Sequence, residues 1–127
     1  MAEQLVLSAV NAFMAQDLDG LLAVADPEIE LRSLLTEAER PLYHGHEGVR
    51  DWFEAVFGVF PDWRPQPRAA AHDDDGAVVI PLDVTATGAG SGAPVDQRYW
   101  LGARVRADKI IFFGFFRTES DAMDAVT

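Results

Sequence analysis

A chain of 127 residues is the length of one domain with a single core. Its formal charge of −11 counts against a phosphate backbone or an anionic bilayer as partner, because both reward Lys and Arg. Having no cysteine, it can form neither a disulfide nor a thiolate metal ligand, which suits a cytoplasmic protein. No basic run leads into an apolar block at the N-terminus, and no apolar segment is long enough to span a bilayer. The expectation is a soluble, cytoplasmic, single-domain protein over residues 1–127.

Leu5, Val6, Ala9, Val10 and Phe13 recur at helical spacing and predict an amphipathic helix over residues 2–15. Asp17 then reads as the cap of a short second helix carrying Leu18, Leu21 and Leu22, which Pro27 ends. Residues 28–35 alternate, with Ile29, Leu31 and Ser33 on one side and Glu30 and Arg32 on the other, as a half-buried strand does. A polar connector, Thr36 to Arg40, leads to Tyr43, His44 and His46. A third helix is predicted from His46 to about Phe60, burying Val49, Phe53, Val56, Phe57 and Phe60 with Trp52 at the edge of the stripe. Pro61, Pro65 and Pro67 make the next strand ragged and place it near a sheet edge, regular only around Arg68 to His72.

The stretch from Gly76 to Arg106 reads as two long strands reversed across Gly88 to Gly92. A reversal centred near Gly90 sets Leu82 opposite Tyr99, Ile80 opposite Leu101, Val78 opposite Ala103 and Val84 opposite Gln97. The alternate residues then pair Asp83 with Arg98, Thr85 with Asp96 and Pro81 with Trp100. One register thus yields an apolar face and a largely polar face with an opposite-charge pair. Ala107-Asp108 turns into a last strand, Lys109 to Arg117, apolar on both faces and therefore covered on both sides. Its second face asks for a cover beyond the predicted helices, with a second subunit as the simplest candidate. Residues 118–126 close the chain as a short helix. The predicted fold class is α+β: a curved, mostly antiparallel sheet wrapped around three N-terminal helices, a cone whose mouth suits an apolar ligand.

Several short runs resemble the nuclear transport factor two-like superfamily, and within it the SnoaL-like and ketosteroid isomerase-like proteins. They are Asp17-Leu18-Asp19-Gly20, Ala25-Asp26-Pro27, Tyr43-His44-Gly45-His46-Glu47-Gly48-Val49 and Asp108-Lys109-Ile110. The resemblance covers essentially the whole chain, but the runs are turns and caps and speak to fold more than to activity. Carried over by position, the isomerase's tyrosine falls on Ala9, its general-base aspartate on Ser33 and its second acid on about Trp100. None matches in kind, so steroid isomerisation by that mechanism is not expected. SnoaL-like cyclases close polyketide rings by acid–base chemistry, which here would have to rest on His44, Tyr99 or an ordered water.

Tyr99 is read as a donor to a ligand carbonyl, against the plainer reading of a core tyrosine. His44 stands as a general base beside the mouth, against the plainer reading in which His46 caps the third helix and His44 is solvated. Two histidines at i, i+2 with His72 lack a recognisable further ligand, and Asp73 to Asp75 lack calcium-loop spacing, so no metal and no cofactor are expected. The candidate catalytic residues are thus Tyr99, His44 and Ser33. The candidate pocket is Phe13, Leu22, Leu31, Tyr43, Trp52, Phe53, Phe57, Trp100, Phe113 and Phe115. The functional expectation is a small-molecule-binding SnoaL-like protein for an apolar, polyketide-like or cyclic compound, with acid–base catalysis (cyclase, isomerase or hydrolase type) left open. The alternative is a non-catalytic ligand-binding or dimerisation module. The expected partners are the apolar ligand and a second copy docked through the outer sheet face near Glu30, Arg32 and Arg98, with no nucleic acid and no membrane.

Overall fold

Helix α1, Ala2–Ala15, buries Val6, Ala9, Val10, Ala12 and Phe13, the face that its 3.6-residue period lines up. The computed structural model describes residues 2–33, 42–87 and 94–127, with backbone alone for 94 and 95. Asp17 caps α2, Leu18–Val24, by accepting a hydrogen bond from the Gly20 amide at 3.0 Å. Strand β1 runs Ala25–Arg32, through Pro27 and three residues earlier than its periodicity suggests. The connector Thr36 to Arg40, the predicted strand end at 34–35 and the reversal Gly88 to Gly92 lie outside the described residues.

A three-residue strand β2, Leu42–His44, precedes helix α3, Gly45–Val59. The predicted cap at His46 is corrected: His44 occupies the cap position without a side-chain bond, and His46 Nε2 donates to the Ala25 carbonyl at 2.9 Å. The predicted stripe on α3 is also rotated. Val49, Trp52 and Val56 are fully buried, so Trp52 lies at its centre while Phe53 and Phe57 flank it half-buried.

Strands β3, Arg64–Pro67, and β4, His72–Asp74, are two separate pieces that both pair with β5, Ala77–Thr87. Of the predicted stretch Arg68 to His72 only His72 is strand, yet the Arg68 amide donates to the Pro81 carbonyl at 2.9 Å and the Ala71 amide to the Val79 carbonyl at 2.8 Å, which holds the stretch against β5. β3 is an edge strand, where Pro65 and Pro67 remove donors the sheet does not need. Asp75 and Gly76 take φ of 53° and 78°, the left-handed pair of a tight hairpin. A Cβ at Gly76 would lie 2.6 Å from the Val105 carbonyl oxygen.

Strands β5 and β6, Pro94–Arg106, pair in the register read from the sequence: Leu82 with Tyr99, Ile80 with Leu101, Asp83 with Arg98, Pro81 with Trp100. Strand β7, Lys109–Phe116, continues antiparallel to β6 and lies parallel to β1. The strand order is β2-β1-β7-β6-β5-β3. Within β7, Ile111 is the extra residue of a bulge, since Arg104 pairs with Phe112 but Val105 with Ile110. The bulge reverses parity, sending Ile110, Phe113 and Phe115 toward the helices and Phe112 and Phe116 to the opposite side.

That opposite side is covered in part by the chain itself. Helix α4, Glu119–Val126, capped by Thr118, lays Ala122 and Val126 over Ala77, Val79 and Phe116. Arg104 donates to the Val126 carbonyl and ties down the helix end. The chain thus covers the centre of its own outer face. The result is an α+β fold with a curved, mostly antiparallel sheet between two unequal helical layers.

Candidate functional site

Strand parity decides which side chains converge. On the face toward α1 and α3, Leu31, Phe113, Ala103 and Val78 form one cross-strand row. Toward the tip of the β5–β6 hairpin the next row holds Phe115, Leu101 and Ile80, followed by Tyr99 with Leu82, then Gln97 with Val84. Above these rows, α1 presents Phe13 and α3 presents Trp52. Trp63 comes from the turn after α3, where its amide donates to the Phe60 carbonyl at 3.1 Å. Gln16 Nε2 donates to the Pro61 carbonyl at 2.8 Å and fastens that turn to the end of α1.

Five rings fill the space so formed. Phe13 lies 5.3 Å from Trp52, 5.7 Å from Trp63 and 5.7 Å from Phe113, centroid to centroid. Trp52 stacks on Phe115 at 5.6 Å and 14°, while Trp63 stands edge-on to both. Phe57 meets Trp63 at 5.8 Å and Phe53 at 4.7 Å, extending the cluster to the rim. Such offset and edge-to-face contacts each add about 1 kcal/mol beyond burial.

Few polar atoms enter this cup. Ser33 is the one buried polar residue among those described, and its Oγ accepts from Trp52 Nε1 at 2.9 Å. Trp63 Nε1 is buried with no hydrogen-bond partner, the one such side-chain atom among the described residues. A buried donor without an acceptor costs about 1–3 kcal/mol. At the rim, the half-buried Tyr99 donates to Gln97 Oε1 at 2.6 Å.

The sequence-predicted site residues separate into groups. Phe13, Leu22, Leu31, Tyr43, Trp52, Phe113 and Phe115 are buried in the helix-facing core, and Phe53, Phe57 and Tyr99 pack against it half-buried. Ser33 stands within the cup, at the position where the resemblance would place a general base, with its oxygen engaged by Trp52. Trp100 lies on the other face, packed with Phe116 and α4, because it alternates with Tyr99 and Leu101. His44 pairs with Glu30, an outward position next to inward Leu31; it is exposed, with Nε2 4.0 Å from Glu28 Oε2. It borders a shallow cavity of about 270 Å³ with Leu42, Tyr43 and Glu30 at the sheet edge. Three strand steps of about 5 Å, and the thickness of the sheet, separate His44 from Tyr99. The structure therefore does not bring the three candidate catalytic residues together.

Trp63 is the residue that sequence reasoning missed. It sits in a Pro-rich turn with no periodicity, and its flanking prolines are the signal only for a chain break. No group of three metal-ligating side chains occurs among the described residues. On the outer face, Asp83 takes Arg98 at 2.7 Å and Arg68 at 2.5 Å. The Arg98 hydrogen bond, then that of Arg68, holds its carboxyl below the usual carboxylate range, and Asp83 in turn raises Arg98. Chemically, the cup is an aromatic box with a hydroxyl and an unpaired N–H inside and a phenol–amide pair at its lip.

Comparison with known proteins agrees with this architecture. The sequence matches the SnoaL-like domain over residues 6–113. Among curated proteins no relative matches. An NTF2-like protein of unknown function from Burkholderia pseudomallei superposes with a TM-score of 0.82 at 18% identity, covering 99% of this chain and 97% of that one. TerC, crystallised with polyporic acid, gives 0.81 at 16% identity over 98% and 96% of the two chains. IdmH from Streptomyces antibioticus, a candidate polyketide cyclase, gives 0.77 at 17% identity over 98% and 96%. At such identities the structural likeness establishes the fold alone.

Proposed function

The chain belongs to the SnoaL-like family, and from that premise we propose that it binds a flat, apolar, carbonyl-bearing ring compound at the aromatic cup. The ring lies against the half-buried Phe53, Phe57 and Tyr99 at the rim, and its carbonyl reaches the buried Trp63 N–H only as those rim rings part to admit it. The observation that carries this reading is the buried Trp63 N–H without an acceptor, set among four other aromatic rings. A carbonyl supplied from outside would remove its desolvation penalty. Tyr99, whose single O–H donates to Gln97 at the lip, becomes a second donor for the same class of ligand when it exchanges that exposed amide oxygen for the carbonyl. That two structurally similar proteins are a candidate polyketide cyclase and one crystallised with polyporic acid supports the substrate class.

Binding and positioning are favoured over acid–base turnover. Among the described residues no carboxylate or imidazole is buried, and Ser33 alone cannot exchange protons near neutral pH. A homodimer belongs to the same proposal, with the second copy meeting the outer sheet beside α4, where Trp100 and Phe112 stay half-buried. Sedimentation of an Arg98→Glu variant tests it: a monomeric variant against a dimeric parent is expected, and a monomeric parent contradicts it.

The ligand claim is tested with a hydroxyanthraquinone, followed by quenching of tryptophan emission. Saturable quenching is expected, and Tyr99→Phe weakens it about fivefold, the worth of one ~1 kcal/mol hydrogen bond, without altering the fold. Absence of saturable quenching defeats the reading, and equal affinities remove Tyr99 from the site.

A further inference from the structure

Helix α3 ends on a loosely held turn beside Trp63, whose buried N–H has no acceptor. Of the seven glycines among the described residues, six answer to their surroundings. Gly45 and Gly76 take positive φ, and a Cβ at Gly20, Gly48, Gly102 or Gly114 would come within 3.2 Å of another atom. For Gly102 and Gly114, on the outer face, those atoms belong to α4, the Phe116 ring and Arg32. Gly58 is the exception. Its backbone is helical, and no described atom lies within 4 Å of the place a Cβ would take. Alanine would fit there, so the glycine serves no packing and only weakens the helix.

The rest of that turn is held no more firmly. Val59, the last helical residue, is 53% exposed, and no basic side chain offsets the helix dipole at this end. Firm points lie on either side of it. Upstream, Trp52 and Val56 are fully buried. Beyond the helix, Gln16 pins the Pro61 carbonyl and the Trp63 amide donates to the Phe60 carbonyl. The loose turn between them carries Phe57, whose half-buried ring meets Trp63 edge-on at 5.8 Å and 67°.

We propose that residues 57–59 form a gate, which unwinds at Gly58 and swings the Phe57 ring off Trp63. What the gate admits rests on the reading of the cup as the binding site: opening exposes the Trp63 N–H to an entering carbonyl. The bond from the Phe60 amide to the Val56 carbonyl, 2.8 Å long, closes the turn and is broken in the open form. The buried anchors and the pinned turn keep their places, so the opening is local and far smaller than unfolding.

Hydrogen exchange of the indole N–H groups, followed by NMR on the full chain without ligand, reads the gate directly. The Trp63 N–H is expected to exchange through the local opening, well ahead of Trp52, which keeps its bond to Ser33. Gly58→Ala is expected to slow Trp63 about fivefold, the equivalent of ~1 kcal/mol of helix stability, and to leave Trp52 unchanged. Trp63 exchanging no faster than Trp52 overturns the gate, as does a Gly58→Ala variant that slows both indoles alike or neither. Because no ligand takes part, this result is independent of the quenching titration, which alone decides whether the cup binds.

Discussion

The two faces of the β5–β6 hairpin are built from alternate residues of the same strands, yet they do opposite things. The inner face (Val78, Ile80, Leu82, Val84, Leu101, Ala103) is almost fully excluded from solvent and joins one aromatic core. The outer face holds Asp83 between two arginines, two glycines and an eight-residue helix. Charge is confined to the side where water can solvate it, and the inner side keeps only groups that form hydrogen bonds while neutral. In this chain the enclosed side holds aromatic packing and neutral hydrogen bonds, and the ion pairs of Asp83 lie outside.

That contrast can be broken most severely from within. Trp52→Ala removes a fully buried indole that touches Phe13, Phe113, Phe115 and Trp63 and serves Ser33. A loss of ~3–5 kcal/mol in denaturant unfolding is expected, and a loss below about 1 kcal/mol would show that the rings do not form a close-packed unit. The outer layer should respond less. Gly102→Ala forces a methyl against the Ala122 carbonyl and Val126, at a cost of ~1–3 kcal/mol. Limited proteolysis should then cut first around α4; unchanged protection would mean that the glycine does not set the helix position.

The smallest effect belongs to the exposed charges. The folded-state pKa of Asp83 is depressed, so its contribution to stability is complete above the unfolded value and fades as pH falls through the folded one. Asp83→Asn should therefore narrow the stability gap between neutral pH and pH below about 4, by less than either change above. An identical acid profile in parent and variant would show that the two arginines give the carboxylate no net preference for its charged form.

How far the sequence could be read follows the same division. Cross-strand pairing was legible because Asp83 with Arg98, and Leu82 with Tyr99, satisfy a single period-two register over many residues. Trp52 was legible as apolar but misplaced on its helix, because five competing apolar positions on α3 blur the stripe. His44 could not be assigned a face, since a three-residue strand carries no pattern and its side is set by Glu30 across a tertiary contact. The Ile111 bulge reverses parity within a run of aromatics that looks the same in either phase. Trp63, at the centre of the proposed site, sits in a turn where no periodicity exists to report burial.

The central claim, that the cup takes a ligand carbonyl onto a waiting indole donor, is tested most directly in the indole region of a nitrogen–proton correlation spectrum. The chain has three tryptophans, so three side-chain signals are assignable by Trp→Phe substitution. On addition of the hydroxyanthraquinone, the Trp63 signal is predicted to move downfield as its N–H gains an acceptor, while Trp52, already bonded to Ser33, and Trp100, on the far face, move little. A Trp63 signal that stays in place while the compound binds would contradict the account.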